Sequence, residues 1–285
     1  MQRNACKIPP VSIDHYENFP VASLLCPPRL RPAVAAIYHF ARTADDIADE
    51  GDATTEERVT ELQAYRADLV AVEEGRYAAS RWAPVFTPLA AAITQHRLPI
   101  PLLHALLDAF EQDLVKTAYA DRPELLRYCE RSANPVGRLL LHLYGIADAE
   151  SLQQSDAICS ALQLINFWQD MSRDHPRGRV YAPAADLERY ALTRESLLAC
   201  QDSPAARALT EELVDWAEAL MQSGAPLALR IPGRAGWELR FVVQGGLRIL
   251  ERIRAMRFAT LNQRPALTAF DAPLLAWRAL RMKSA

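Results

Sequence analysis

The chain has 285 residues, with 32 Lys and Arg against 35 Asp and Glu and a formal charge of -3. That balance is wrong for a nucleic-acid binder, which would carry a strongly basic face. The length suits one large domain or two small ones, and roughly three quarters of the unfolded surface can be buried, enough to enclose a cavity.

Only 10 residues are Gly, and long segments combine Ala, Leu, Arg and Glu with apolar residues at helical spacing. The class expected is all-α. In chain order, helices are predicted over 30–50, 55–75, 99–118, 122–145, 150–172, 204–230 and 234–258. Prolines at 27, 28, 84, 88, 99, 101, 123, 204, 232 and 265 read as helix starts or loops. Pro135 is different, since RYCERSANPVGRLLLHLYG looks helical on both sides of it, and a kink is expected near Asn134. Ala133 and Gly137 beside it suit close helix packing or a bend that makes room for a ligand. The end, APLLAWRALRMKSA, reads as a basic amphipathic helix that packs on the bundle or touches a membrane surface. With no repeat and no Gly/Ser/Pro-rich linker, residues 1–285 are expected to form one domain.

Five scattered cysteines show no C-x-x-C pair and suggest a reducing compartment. The N-terminal MQRNACKIPPVSIDHY has no apolar h-region, and no apolar run approaches bilayer-spanning length. The expected location is cytoplasmic, with peripheral contact at the inner face of the membrane as the open alternative.

Two acidic clusters carry chemistry. In YHFARTADDIADE, Asp45 and Asp49 lie four apart and Arg42 one turn before them. In NFWQDMSRDHPRGRVYAP, Asn166, Asp170 and Asp174 repeat at intervals of four, followed by Arg177, Arg179 and Tyr181. The plain alternative for either cluster is a solvated, ion-paired helix face. Each, however, follows a strongly apolar helix (PAVAAIYHFA and AICSALQLINFW). Like charges one turn apart in a partly desolvated place raise each other's pKa unless a cation intervenes. With oxygen ligands only, the cation is Mg²⁺ or Mn²⁺, and Mg²⁺ is commonly shared with substrate phosphates. Two such helices facing each other would hold ions around a diphosphate and assist its departure from an isoprenoid chain.

The pairing of YHFARTADDIAD with LQLINFWQDMSRDHPRGRVY resembles the two aspartate-rich motifs of the squalene and phytoene synthases. An early His15 segment, a middle RYC…NPVG segment and a late arginine-bearing helix extend the resemblance over nearly the whole chain. It implies an isoprenoid-synthase-type helical bundle with a central apolar cavity. By position it implies metal contacts through Asp45, Asp49, Asn166, Asp170 and Asp174, with Asp45, Asp49, Asp170, Asp174 and Tyr181 catalytic. Substrate contacts are implied for His15, Tyr38, Arg42, Tyr128, Ala133, Gly137, Gln163, Gln169, Arg179 and Arg248, and Lys116 is a further candidate for diphosphate, with Asp113 nearby. Phe167 and Trp168 suit either core or cavity wall.

Where the family usually has N-x-x-R-D, this chain has NFWQD, which places Gln169 at the usual arginine. DHYENFPVAS together with NFWQD and GRVY resembles the bacterial hydroxysqualene synthases. That implies Mg²⁺-dependent ionisation of presqualene diphosphate and capture of water, without NADPH, and other squalene-pathway enzymes as partners. Condensation of two prenyl diphosphates and a non-catalytic lipid-binding role are the alternatives.

Overall fold

A computed structural model describes residues 26–283, and among them there are helices and no strands. The fourteen α-helices are α1 (Arg31–Asp49), α2 (Thr55–Glu73), α3 (Ala83–His96), α4 (Ile100–Asp113), α5 (Arg122–Ser132), α6 (Asn134–Leu143), α7 (Ala149–Gln169), α8 (Met171–Asp174), α9 (Ala184–Arg189), α10 (Arg194–Leu198), α11 (Pro204–Gly224), α12 (Leu227–Arg230), α13 (Gly233–Ala255) and α14 (Ala272–Arg281). None of the described helices is long and apolar enough to cross a membrane.

α1 shows why the periodicity works. Pro32 stands in its first turn, where a missing N–H costs nothing, and Ala33, Ala36, Ile37, Phe40, Ala44 and Ala48 form the stripe it buries. That stripe joins Leu62, Tyr65, Phe86, Leu89 and Leu103 of α2, α3 and α4 in one apolar core. A second core gathers around α7, which packs on α11, α6, α13 and α5. Between the two cores lies a cavity of about 630 Å³. Val34, Ile37 and Phe110 wall it from the first side, and Leu141, Ile158 and Leu239 from the second.

The expected kink is a full break: α5 stops at Ser132, Ala133 leaves the helical region at φ -124, and α6 restarts at Asn134 with Pro135 in its first turn. The buried Ser160 hydroxyl of α7 donates to Asn134 Oδ1 at 2.9 Å and holds the break in place. Gly137 then lets α6 press against α7, since a Cβ there would stand 2.4 Å from Ser155 Oγ and 2.6 Å from Cys159 Sγ. Close packing and cavity wall therefore coincide at this residue, which also lines the cavity.

Several boundaries differ from those expected. The helix expected over 99–118 ends at Asp113, the one over 150–172 stops at Gln169, and Ala225–Pro226 divides the one over 204–230. α3 was not foreseen, because Pro84 and Pro88 read as punctuation. Pro88 in fact lies inside α3. Both prolines are exposed, so water can satisfy the carbonyl that Pro88 leaves without a donor. Trp168 is entirely core.

Candidate active site

Both aspartate sets stand where helix electrostatics disfavours them. Asp45, Asp46 and Asp49 occupy the last turns of α1, Asp170 caps the C-terminal end of α7, and Asp174 ends α8. Unpaired carbonyls give a helix C-terminus negative character, so acids there are repelled and cations are welcome. The structure supplies arginines. Arg42 reaches Asp45 at 3.3 Å, Asp46 at 2.6 Å and Glu50 at 2.8 Å. Asp49 takes Arg179 at 2.5 Å and Arg177 at 3.3 Å, and Arg264 pairs with Asp170. The Asp49 pairs join the two sequence motifs in space across 128 and 130 positions of chain. Gly178 permits this turn back toward α1, since its φ of 79° is one that L side chains rarely adopt.

Burial pushes the Asp45 carboxyl up to about 6, with Arg42 opposing and Asp49 and Asp46 adding to the rise. Burial likewise pushes Asp174 up to about 7, with Asp170 adding and Arg179 and Arg177 opposing. Asp113, at the end of α4, is also raised by burial to about 7 although the Tyr128 hydroxyl donates to its Oδ2 at 2.7 Å. Burial works against the Arg179 charge, but Tyr181 and Asp49 outweigh it and keep the guanidinium protonated.

These carboxyls hold more protons folded than unfolded between about pH 4 and pH 7, so the stability they contribute at low pH is lost as pH rises through that window. Thermal unfolding measured from about pH 5 to about pH 8 should therefore show metal-free protein losing stability from this source. The stabilisation gained from added Mg²⁺ with inorganic diphosphate should grow over the same range, because a cation competes with those protons. A ligand-induced shift that shrinks with rising pH would contradict the carboxylate assignment.

Tyr38, Arg42, Asp45, Tyr128, Gly137, Gln163 and Asn166 all line the cavity, as does Asp113. Next to the lining residue Tyr128, Tyr181 stacks on Phe167, with ring centroids 3.7 Å apart and planes 7° apart, and the Tyr119 ring lies 6.1 Å from that of Tyr181. Ala133 forms the helix break beside the lining residue Ser132. His15 lies outside the described residues.

Three expected substrate contacts are placed elsewhere. Lys116 pairs with Glu124 at 2.5 Å in a separate polar cleft with Gln112, Arg127, Glu130 and Arg131. Arg248 is held by Asp271 and Glu251, both at 2.8 Å, and ties α13 to the segment before α14. Each finds a local acid that satisfies its charge away from the cavity. Gln169 is 0% exposed, and its Nε2 donates to the carbonyl of Pro265 at 2.6 Å.

Gln169 thus fastens the loop whose preceding residue, Arg264, engages Asp170. Nothing local in LNQRPALT marks Arg264, because its partner lies 94 positions away. Replacing Gln169 with Leu would leave the buried Pro265 carbonyl without this donor. The expected loss is about 1–3 kcal/mol of unfolding free energy, read by denaturant melts.

The donor set formed by Asp45, Asp49, Asn166, Asp170 and Asp174 is all oxygen and suits Mg²⁺ or Mn²⁺. Among the described residues no three of His, Cys, Asp and Glu converge closely enough to hold an ion unaided. The residues fit an ion shared with phosphate oxygens, which is how Mg²⁺ is commonly held, and burial makes the charged forms of the Asp45 and Asp174 carboxyls costly until a cation joins them.

Residues 14–271 match the model of the squalene/phytoene synthase family. A hydroxysqualene synthase of Rhodopseudomonas palustris is 34% identical over 240 residues, 84% of this chain and 80% of that protein. One of Sinorhizobium fredii is 33% identical over 241 residues, 84% of this chain and 79% of its own. The crystal structure of the squalene synthase HpnC from Alicyclobacillus acidocaldarius superposes with a TM-score of 0.78 at 36% identity, covering 86% of this chain and 90% of that one. With Asp45 and Asn166 of its two motifs lining one cavity, Asp49 joined to Arg177 and Arg179, and the family model and these relatives matching most of its length, the chain belongs to the squalene/phytoene synthase family.

Proposed function

We propose that this chain ionises presqualene diphosphate with Mg²⁺ and lets water capture the cation, releasing hydroxysqualene and diphosphate. As a member of its family it is an enzyme acting on prenyl diphosphates, of the squalene and hopanoid head-to-head type. The observation that carries the finer reading is one cavity that Arg42, Asp45, Asp113 and Asn166 line together with many apolar side chains such as Ile37, Phe110, Leu141 and Ile158. The names of the two hydroxysqualene synthases support the same choice.

In this reading Arg42, Arg177, Arg179 and Arg264 turn from their aspartates to phosphate oxygens as substrate binds. Bidentate guanidinium contacts suit that exchange. When bound, Mg²⁺ neutralises the charge that develops on the departing diphosphate. Apolar walls exclude bulk water, and the rings of Tyr38, Phe110 and Tyr128, which line the cavity, stabilise positive charge left on the hydrocarbon. Capture forms a bond from a water oxygen to the cationic carbon, and the proton released passes to the Asp113 carboxylate, which Tyr128 holds at 2.7 Å.

The test is incubation of pure protein and Mg²⁺ with presqualene diphosphate and, separately, with farnesyl diphosphate. Hydroxysqualene from the first alone supports the proposal. Product from farnesyl diphosphate alone would make the chain a condensing enzyme, and no product from either, with lipid retained, a binding protein.

A further inference from the structure

Helix α14 is apolar on two sides, and among the described residues only one of them is covered. Its inner side buries Ala279 against α13, where Arg278 reaches Glu251 at 2.5 Å. On the outer side, Pro273, Leu274, Trp277, Leu280 and Arg281 follow at spacings of one, three, three and one, which places them on a single helical face. Trp277 is 51% exposed, Leu280 66%, and Phe270, just before the helix, 93%. A soluble surface scatters such residues singly, so three large ones on one short segment mark a contact.

The charge around this face has one sign. Positions 272–283 contain Arg278, Arg281 and Lys283 and no Asp or Glu. The flanking acids are turned inward: Asp271 is buried with Arg248 at 2.8 Å and Arg252 at 2.6 Å, and Glu251 is taken by Arg278 and Arg248. The Arg281 guanidinium lies over the Trp277 ring, 4.7 Å from its centroid, which joins an aromatic body to a cation at one edge.

From this geometry we propose that α14, with Phe270, is a docking face for an anionic lipid bilayer. Apolar side chains with Trp at the boundary and only basic residues around them match the interfacial depth of a bilayer whose headgroups are negative. A second copy of the chain fits less well, because a two-fold contact would set this basic patch against an identical basic patch. The face docks and does not insert across, since ten residues are too short to span hydrocarbon.

The experiment needs neither substrate nor metal. The full chain is sedimented with vesicles of phosphatidylcholine containing phosphatidylglycerol and with vesicles of phosphatidylcholine alone. Binding is expected on the anionic vesicles, weakening as salt rises. Trp277→Ser with Leu280→Ser should weaken it by at least about tenfold through lost apolar burial, with circular dichroism and thermal unfolding unchanged. Arg281→Glu with Lys283→Glu, which leaves the apolar face intact, should abolish the preference for anionic lipid. Failure to bind anionic vesicles, or wild-type binding by both double variants, overturns the proposal. So does a concentration-dependent dimer that Trp277→Ser dissociates, since the face would then join two copies.

Discussion

Asp45→Asn and Asp170→Asn should each lower turnover of the prenyl diphosphate on the order of 10²- to 10³-fold, the scale on which removing one preorganised electrostatic group acts. Asp45→Asn should leave stability unchanged or raise it, and Asp170→Asn should leave it near the wild-type value, as relief of helix-end repulsion offsets a weaker hold on Arg264. Asp45 sits in the last turns of α1 among Asp46, Asp49 and Glu50, where the helix end and its neighbours already oppose its charge. Asp170 caps α7 in the same unfavourable sense and is held by Arg264. An amide of equal size removes that repulsion and keeps the packing. Activity lost while melting temperature holds is the signature of residues kept for a ligand and not for the fold. Near wild-type turnover in either variant would remove that residue from the metal-binding set.

Arg179→Ala should impair both function and stability. Arg179 holds Asp49 at 2.5 Å, and its charge also restrains the rise of the Asp45, Asp113 and Asp174 carboxyls. Removing it leaves Asp49 with the longer 3.3 Å contact to Arg177. We expect about 1–3 kcal/mol of lost stability, with part of the partly exposed pair's loss made up by water, and a fall in kcat/KM on the order of 10²-fold. Arg179→Lys should recover some stability and less of the activity, because an ammonium restores charge without the planar fork. Denaturant melts and steady-state kinetics separate the two readouts. Full activity in Arg179→Ala would mean that this arginine serves only to tie the motifs together.

The helices legible in the sequence are those whose own apolar stripe meets a core, such as α1, α2 and α13, and their limits fall within a few residues of expectation. α3 escaped because two exposed prolines hide a stripe of Phe86, Leu89 and Ala92 that is buried all the same. Asp45 and Asn166, marked by helical spacing, and Tyr128 and Gln163, implied by the family resemblance, all line the cavity because local order along a helix sets which face each one takes. Lys116, in the loop after α4, and Arg248, on α13, lie away from the cavity lining, because a long basic side chain turns to whichever acid the fold brings near, here Glu124 and Asp271.

The sequence by itself determined the helical class, the two aspartate sets and the oxygen-only chemistry they share, since these follow from composition and from a period of 3.6. Tertiary structure alone decided which arginine answers which aspartate. Arg179 finds Asp49 across 130 positions, Arg264 finds Asp170 across 94, and Gln169 turns from the cavity to the carbonyl of Pro265. Such pairings depend on how loops return to a helix end, and a loop's path leaves no repeating pattern in the chain that forms it.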